Sequence, residues 1–251
     1  MKSAYAQVNG LNLYYEVHGT GKPLVVLHGG LLTIELSFGA LLPELSATRQ
    51  VIAVELQGHG HTADTSRDLT LANLADDVAG LLDHLGVDRA DLFGFSLGGL
   101  VAIQVALSHP GRVDRLLLAA THFRSDGYHD EIRDPALWAS STRMPTEADF
   151  AAMREAYAST APDPGHFPEF MAKVSTVPGT VDAWSLDDLR GITAPTLLVI
   201  GDHDFVRVEH AARMRDLIGG AQLAVLPGTT HSGLLGRKEL VLPLVDFFLK
   251  P

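Results

Sequence analysis

The chain has 251 residues, 46% of them hydrophobic, which suits one large globular domain or two small ones and excludes a disordered chain. Its net charge of -11 argues against nucleic acid or an anionic membrane surface as a partner, because both require a basic footprint. The sequence has no cysteine, which excludes disulfides, thiolate catalysis and cysteine-type zinc sites. The N-terminal segment lacks the apolar core of a signal peptide, and no run approaches the ~18 apolar residues that span a bilayer, so we expect a cytoplasmic protein.

The first half of the sequence predicts a hairpin followed by alternating strands and helices. Ala4–Val8 and Leu11–Val17 are predicted strands joined by Asn9-Gly10, a strong hairpin signal because a type I′ turn needs positive φ at both positions. Apolar residues three and four apart predict an amphipathic helix from Leu71 to Leu85. Further apolar runs predict buried strands at Pro23–Leu27, Gln50–Val54, Ala90–Phe95 and Val113–Ala119.

The C-terminal part repeats this alternation. Thr196–Ile200 and Gln222–Leu226 are predicted strands, separated by a helical pattern over Val208–Ile218 and followed by a last helix from Lys238 to Lys250. Short apolar strands that alternate with amphipathic helices require crossover connections. The sequence therefore predicts an α/β fold with a mainly parallel sheet.

The segment 121–191 interrupts the alternation. It is rich in Pro, Asp and Ser, contains short helical pieces such as Glu147–Tyr157, and has no predicted strand. Both tryptophans and three of the five methionines fall within it. An insertion of this kind predicts a helical cap over a site, while the alternative is a helical decoration with no role at the site. We therefore expect a core formed by 1–120 and 192–251, with 121–191 as the cap.

A short motif, Gly94-Phe95-Ser96-Leu97-Gly98, lies between a predicted strand and a helical pattern that continues from Leu100 to Leu107. A serine flanked by glycines at a strand-to-helix junction is typical of a nucleophile elbow, whose turn points the hydroxyl outward. The pentapeptide is common by chance, and its alternative interpretation is an ordinary tight turn. Its context must decide between the two.

A serine hydroxyl needs a base within hydrogen-bond reach and an acid that orients the base. Such groups meet at the C-terminal ends of parallel strands. Asp202 and Asp204 follow the Thr196–Ile200 strand, and His231 follows the Gln222–Leu226 strand. The order Ser96, aspartate, His231 is the one expected with a nucleophile elbow. Spacing alone leaves the choice between the two aspartates open.

The tetrahedral intermediate of acyl transfer also needs two hydrogen-bond donors for its oxyanion. One is expected to be the backbone N–H of Leu97, which directly follows the nucleophile. The other should come from the loop after the Pro23–Leu27 strand, where we select Gly30 in His28-Gly29-Gly30-Leu31. His28 is expected to be a structural hydrogen-bonding residue and not a second base.

Taken together, the motifs resemble the α/β-hydrolase-fold serine hydrolases over essentially the whole chain, including their branch of cofactor-free perhydrolases and esterases. The resemblance implies an eight-stranded, mainly parallel sheet flanked by helices, with a helical cap after strand six. It also favours Asp204 as the acid and supports Gly30 as an oxyanion donor. One departure is Glu55-Leu56-Gln57, where relatives commonly carry Asp-Leu-Arg or Asp-Gln-Arg. The matching motifs are His28-Gly29-Gly30, Gly58-His59-Gly60, Gly94-Phe95-Ser96-Leu97-Gly98-Gly99, Gly201-Asp202-His203-Asp204 and Gly228-Thr229-Thr230-His231.

Fold-family membership does not determine the reaction. The resemblance and the elbow together predict an esterase that acts on small to medium apolar esters through an acyl-enzyme. Carbon–carbon bond hydrolases often carry Asn before the serine, where Phe95 stands here, and lactonase, thioesterase and perhydrolase activities use the same triad. A weakly catalytic ligand receptor is an alternative of a different class. Ser96 argues against dehalogenases and epoxide hydrolases, because those enzymes use an aspartate nucleophile.

The expected partner is a small-molecule ester, and we expect no cofactor. The twelve histidines show no His-Glu-x-x-His spacing and the glycines form no phosphate-binding loop, so no metal or nucleotide site is predicted. No pattern indicates an oligomeric state. Large apolar residues near the elbow or in the cap are candidates for the substrate pocket: Phe95, Phe123, Trp138, Met144, Met153, Phe167, Phe170, Met171 and Trp184.

Overall fold

A computed structural model describes residues 1–250 of the chain, and its eight strands form a single sheet. The strand order across the sheet is β1-β2-β4-β3-β5-β6-β7-β8. The strands are β1 (Lys2–Val8), β2 (Leu11–His18), β3 (Lys22–Leu27), β4 (Arg49–Val54), β5 (Ala90–Phe95), β6 (Val113–Ala119), β7 (Thr196–His203) and β8 (Gln222–Thr230).

The sheet is mixed, with an antiparallel edge and a parallel centre. β1 pairs antiparallel with β2, and β2 pairs antiparallel with β4, whereas all pairs from β4 through β8 are parallel. Asn9 and Gly10 both have positive φ, 49° and 82°, as the predicted hairpin turn requires. The prediction of a mainly parallel sheet is confirmed, and the antiparallel edge is the predicted opening hairpin.

Helices cover both faces of the sheet. No helix among residues 1–250 is long and apolar enough to span a membrane. The helices are α1 (Ile34–Phe38), α2 (Leu42–Ser46), α3 (Leu71–His84), α4 (Leu97–Ser108), α5 (Asp130–Arg133), α6 (Glu147–Thr160), α7 (Phe167–Ser175), α8 (Leu186–Arg190), α9 (Val208–Leu217) and α10 (Lys238–Leu249).

The core consists of two main apolar clusters, one on each face of the sheet. Because successive strand residues point to opposite faces, Val25 and Leu27 of β3 pack with α3 and α4, while Leu24 and Val26 pack with α1, α2 and α10. α4 is apolar almost all round and is buried between the sheet and its neighbours. The strand ends that carry the candidate site are thus held by packing from both sides.

The segment between β6 and β7 contains α5 to α8 and no strand. It packs on the face that α3 and α4 cover, with Phe170, Val174 and Val181 buried in the same cluster. A polar contact also joins it to the core, because the ammonium group of Lys173 lies 2.8 Å from the buried carboxylate of Asp64. The helical segment is therefore anchored by both apolar and charged contacts.

Candidate active site

The elbow is a strained turn between β5 and α4. Ser96 has φ 51° and ψ -116°, a conformation that side chains rarely adopt, and its backbone N–H donates to the Ala119 carbonyl at 2.8 Å. Gly98 allows the close approach of α4 to β3, because a Cβ at this position would overlap the carbonyl of Leu27. Buried neighbours on both sides hold this strained turn in place, and the turn places the Ser96 hydroxyl at the strand end.

Three polar side chains from different strand ends meet at this turn. His231 Nε2 lies 3.0 Å from Ser96 Oγ, and His231 Nδ1 lies 2.8 Å from Asp204 Oδ1. Asp204 and His231 are both buried. A carboxylate accepts only, so Nδ1 carries the proton and Nε2 is free to accept the serine hydroxyl. This is the arrangement that a serine nucleophile and its base require.

Two aspartates lie at the end of β7, Asp202 within the strand and Asp204 directly after it, and they have different surroundings. Asp202 is exposed, and its Oδ1 accepts the backbone N–H of Thr229 at 3.0 Å. The backbone N–H groups of Gly228 and Thr229, at the end of β8, lower the pKa of Asp202. Asp204 instead accepts from His231 and from the Val206 N–H, at 3.2 Å, through the same Oδ1. Asp202 thus binds the end of β8, just before His231, whereas Asp204 contacts the imidazole itself.

Aromatic rings hold the His231 imidazole on two sides. The Phe205 ring lies parallel to it, with centroids 3.9 Å apart and an interplanar angle of 5°. Phe95 contacts it with centroids 5.3 Å apart. Phe205 is not among the site residues predicted from the sequence, although its position directly after Asp204 was an available signal. The imidazole is oriented by packing as well as by hydrogen bonds.

The two predicted oxyanion donors flank the serine. Leu97 is the first residue of α4, so its N–H has no intrahelical acceptor. Gly30 lies in a turn closed by the Leu32 N–H and the Gly29 carbonyl at 3.2 Å, with Leu31 at φ 63°. Such a turn leaves the N–H groups of its two central residues unused. Gly30 and Leu97 both line the cavity above Ser96.

His28 makes two hydrogen bonds to the backbone. Its Nδ1 lies 2.8 Å from the Gly29 carbonyl, and its Nε2 accepts the Leu56 N–H at 3.0 Å. Burial lowers the pKa of His28 to about 4. The imidazole is therefore neutral and supports the turn that contains Gly30, as expected for a structural histidine.

A cavity of about 410 Å³ opens above Ser96, within the range usual for small-molecule sites. Three of the nine pocket residues predicted from the sequence line it: Phe95, Met153 and Met171. The other six, Phe123, Trp138, Met144, Phe167, Phe170 and Trp184, do not.

Three of those six are core residues of the helical segment. Phe123 is fully buried and stacks on His210, with ring centroids 4.3 Å apart. Phe170 is also fully buried, and the indole N–H of Trp184 donates to Gln104 at 2.8 Å. These side chains attach the segment to the sheet and its helices. Their apolar surface is therefore packed in the core and does not line the cavity.

The remaining three are placed by local packing. Phe167 packs against Tyr157, with ring centroids 5.0 Å apart. Trp138 is 46% exposed, and its indole N–H donates to the Ile132 carbonyl at 2.9 Å. Met144 is partly buried outside the cavity wall.

Several wall residues were not predicted from the sequence. Most of the apolar ones are aliphatic side chains of ordinary loops and helices, for which no sequence signal distinguishes a cavity wall from a core. Tyr128 and Phe205 add aromatic surface. The aliphatic and aromatic members missed include Leu31, Leu36, Phe150, Val174 and Leu235.

The departure at Glu55-Leu56-Gln57 has a structural explanation. The buried Glu55 carboxylate accepts the His61 backbone N–H at 2.6 Å and lies 2.8 Å from the His61 ring. Gln57 Oε1 accepts from the Arg67 guanidinium at 2.9 Å. Both side chains therefore anchor the loop after β4. Among residues 1–250, no group of three or more His, Cys, Asp or Glu side chains is arranged to hold a metal ion.

Comparison with known proteins agrees with the fold described above. The sequence model of the family described as alpha/beta hydrolase fold matches residues 22–237. The chain belongs to the α/β-hydrolase family. The 2-hydroxy-6-oxo-2,4-heptadienoate hydrolase of Pseudomonas putida is 29% identical, covering 92% of this chain and 90% of that protein. The pimeloyl-[acyl-carrier protein] methyl ester esterase of Neisseria meningitidis serogroup B is 28% identical over 91% and 93%.

Solved structures extend the similarity to the whole chain. A meta-cleavage product hydrolase (CumD) from Pseudomonas fluorescens superposes with a TM-score of 0.82 at 24% identity, covering 99% of this chain and 97% of that one. This likeness shows the fold. An N-acyl homoserine lactone degrading enzyme superposes with a TM-score of 0.79 at 26% identity, over 99% and 100%. The relatives thus include carbon–carbon bond hydrolases, esterases and lactone-degrading enzymes.

Proposed function

We propose that the protein is a serine esterase that hydrolyses small to medium apolar carboxylic esters through an acyl-enzyme. The observation that carries the proposal is the hydrogen-bonded series Ser96–His231–Asp204 at the base of an apolar cavity. In this proposal Ser96 is the nucleophile, His231 the general base and Asp204 the acid that orients the base. Gly30 and Leu97 supply the N–H groups for the oxyanion.

The reaction proceeds in two halves. Ser96 Oγ bonds to the carbonyl carbon as its proton passes to His231 Nε2, and the carbonyl oxygen becomes the oxyanion. His231 then gives that proton to the leaving alcohol as the carbon–oxygen bond breaks, which leaves the acyl group on Ser96. Water next loses a proton to His231 and attacks the acyl carbon. The acid is released and Ser96 regains its proton.

The residues of the cavity wall favour an uncharged substrate over a charged one. Among the described residues that line it, none is Lys or Arg, and the single carboxylate, Asp149, caps the first turn of α6. A carboxylate substrate, such as the dienoate in the name of the Pseudomonas putida relative, would lack a cationic partner here. Phe95 beside the nucleophile adds apolar surface. Both features favour ester hydrolysis over cleavage of a charged dienoate.

Residues 121–191 act as the cap in this proposal, and the core consists of 1–120 and 192–251. α6 contributes Phe150 and Met153 to the cavity wall, and α7 contributes Met171 and Val174. The cap therefore shapes the apolar part of the site, while the strand ends carry the chemistry.

A screen of p-nitrophenyl esters with acyl chains of rising length tests the function. We expect turnover of short and medium chains, and a loss of kcat of about 10⁴–10⁶-fold in Ser96→Ala with folding intact. Ser66→Ala, an exposed serine remote in sequence from the strand ends, serves as the control and should match the wild type. Turnover that survives Ser96→Ala would refute the mechanism. Absence of turnover on every ester of the screen would refute the esterase function and favour either another reaction of the same triad or a ligand receptor.

A further inference from the structure

Tyr128 contributes to the cavity a hydroxyl group that the proposed triad does not use. It follows β6 in the chain, lines the cavity and is partly buried. Its hydroxyl makes no hydrogen bond to any of residues 1–250, whereas the Tyr14 hydroxyl donates to Glu16 at 2.9 Å. A cavity-lining residue whose hydroxyl has no protein partner can offer that hydroxyl to a ligand.

The other polar side chains of the wall outside the triad are either engaged or in solvent. Ser37 accepts a backbone N–H, Ser175 donates to a backbone carbonyl, and the Asp149 carboxylate accepts the Thr146 backbone N–H at the start of α6. Ser232 is exposed to solvent. Among the described residues of the wall outside the triad, Tyr128 is thus the partly buried one whose polar group has no hydrogen-bond partner.

The Tyr128 ring is held firmly on the His231 side of the nucleophile. Its backbone forms a β-bridge with Val206, and its carbonyl accepts from the Arg207 guanidinium at 3.1 Å. The ring contacts Phe205, which itself stacks on His231. The loop that contains Gly30 follows β3 in the chain. In the sheet, β3 lies on one side of β5, and β6 and β7 lie on the other. In this strand order Ser96, at the end of β5, lies between Gly30 and Tyr128.

This placement determines which part of the substrate Tyr128 meets. His231 must return its proton to the leaving oxygen, so the alcohol portion of an ester lies on the His231 side. Resting on the esterase function above, we propose that the Tyr128 hydroxyl is a specificity-determining group that donates a hydrogen bond to an oxygen in the alcohol portion. The preferred alcohols then carry an ether, keto or hydroxyl oxygen in place of a methylene.

The hydroxyl is suited to act as the donor. Burial, together with the nearby Asp204 carboxylate, raises the pKa of Tyr128, so the phenol remains protonated throughout the working range of the enzyme. An oxygen-bearing alcohol satisfies this hydroxyl, while a hydrocarbon alcohol leaves it without a partner.

Three esters test the proposal. n-Butyl butyrate is the reference, and 2-methoxyethyl butyrate and n-butyl methoxyacetate each replace one of its methylene groups with an oxygen. The oxygen lies in the alcohol portion of the second and in the acyl portion of the third. Release of acid is followed by titration for the wild type, Tyr128→Phe and the control Tyr5→Phe, whose ring is on β1 and exposed. Comparing each variant with the wild type cancels intrinsic differences in ester reactivity.

We expect Tyr128→Phe to lower the preference for 2-methoxyethyl butyrate over n-butyl butyrate, measured as a ratio of kcat/KM, by about fivefold, the net value of one neutral hydrogen bond. The preference for n-butyl methoxyacetate and the midpoint of urea unfolding should match the wild type. Tyr5→Phe should change neither ratio.

Equal losses on all three esters, a selective loss on the methoxyacetate, or a lowered unfolding midpoint would each overturn the role of Tyr128 while leaving the esterase function standing. Failure of the wild type to hydrolyse any of the three esters would instead overturn the esterase function and, with it, the inference.

Discussion

Replacing Asp204 with Asn is the sharpest test of the site, because it separates two neighbouring aspartates that sequence spacing could not distinguish. Asp204 Oδ1 accepts from both His231 Nδ1 and the Val206 N–H, while Oδ2 is buried with no partner among residues 1–250. An Asn side chain of the same shape has two ways to occupy this position. Each of them disables the base for a different reason.

If the amide oxygen occupies the Oδ1 position, the NH₂ group is buried without an acceptor, at a cost of about 1–3 kcal/mol, and the charge that stabilises the imidazolium is lost. If the NH₂ group occupies it, the group faces the Val206 N–H donor. His231 must then accept at Nδ1 and carry its proton on Nε2, toward Ser96, where it cannot take up the serine proton.

We therefore expect Asp204→Asn to lower kcat by about 10⁴-fold, the effect known for a triad aspartate, which corresponds to about 5 kcal/mol of transition-state stabilisation. Asp202→Asn is the matched control. Its amide oxygen can still accept the Thr229 N–H in an exposed setting, so activity should stay within about threefold of wild type. Hydrolysis of p-nitrophenyl butyrate at neutral pH, with circular dichroism to verify folding, measures both. Asp204→Asn with more than a tenth of wild-type activity, or a larger loss in Asp202→Asn, would refute the assignment.

Three further predictions concern Gly98 in the elbow, the buried His28 and the contact between Phe205 and His231. Gly98→Ala should lower the free energy of unfolding by at least about 1–3 kcal/mol through overpacking, measured by urea titration, whereas Gly111→Ala, with open space around its Cβ, should not. Because His28 has a pKa of about 4 in the native state and ~6.5 unfolded, the unfolded chain binds more protons between these values. Stability should thus fall by about 3 kcal/mol from this group as pH drops through that window, and a flat pH dependence of the urea midpoint would contradict it. Phe205→Leu should lower kcat/KM severalfold by loosening the imidazole, while Phe247→Leu on the exposed face of α10 should match wild type in the same ester assay.

The central sheet was predictable because its signals are local and repeated. Each buried strand is a short apolar run, and the Asn9-Gly10 turn specifies its own backbone conformation. Strand ends were less predictable. β8 was expected to stop at Leu226 but continues to Thr230, because pairing with β7 persists past the apolar run to His203. Strand pairing, which depends on a partner distant in sequence, sets the actual limits.

The grouping of Ser96, Asp204 and His231 followed from a topological rule, since residues after parallel strands share one edge of the sheet. The choice of Asp204 over Asp202 did not follow from that rule. Asp202 lies at the end of β7 and Asp204 directly follows the strand, so both are at the same strand end. Their side-chain environments differ, because Asp204 is buried against an imidazole whereas Asp202 is exposed and bound to a backbone N–H. Such a difference depends on how the turn is oriented relative to β8.

The cavity wall was the hardest part to predict, and the reason is physical. Large apolar side chains in residues 121–191 have two uses, attaching this segment to the core and lining the cavity, and hydrophobicity is identical in both. Phe170 and Met171 are adjacent on α7, yet Phe170 is fully buried in the core while Met171 is 42% exposed and faces the cavity. One residue of helical rotation, about 100°, separates the two outcomes. The packing of α7 against the core sets this rotation, and that packing depends on residues distant in sequence, which a local hydrophobic pattern does not report.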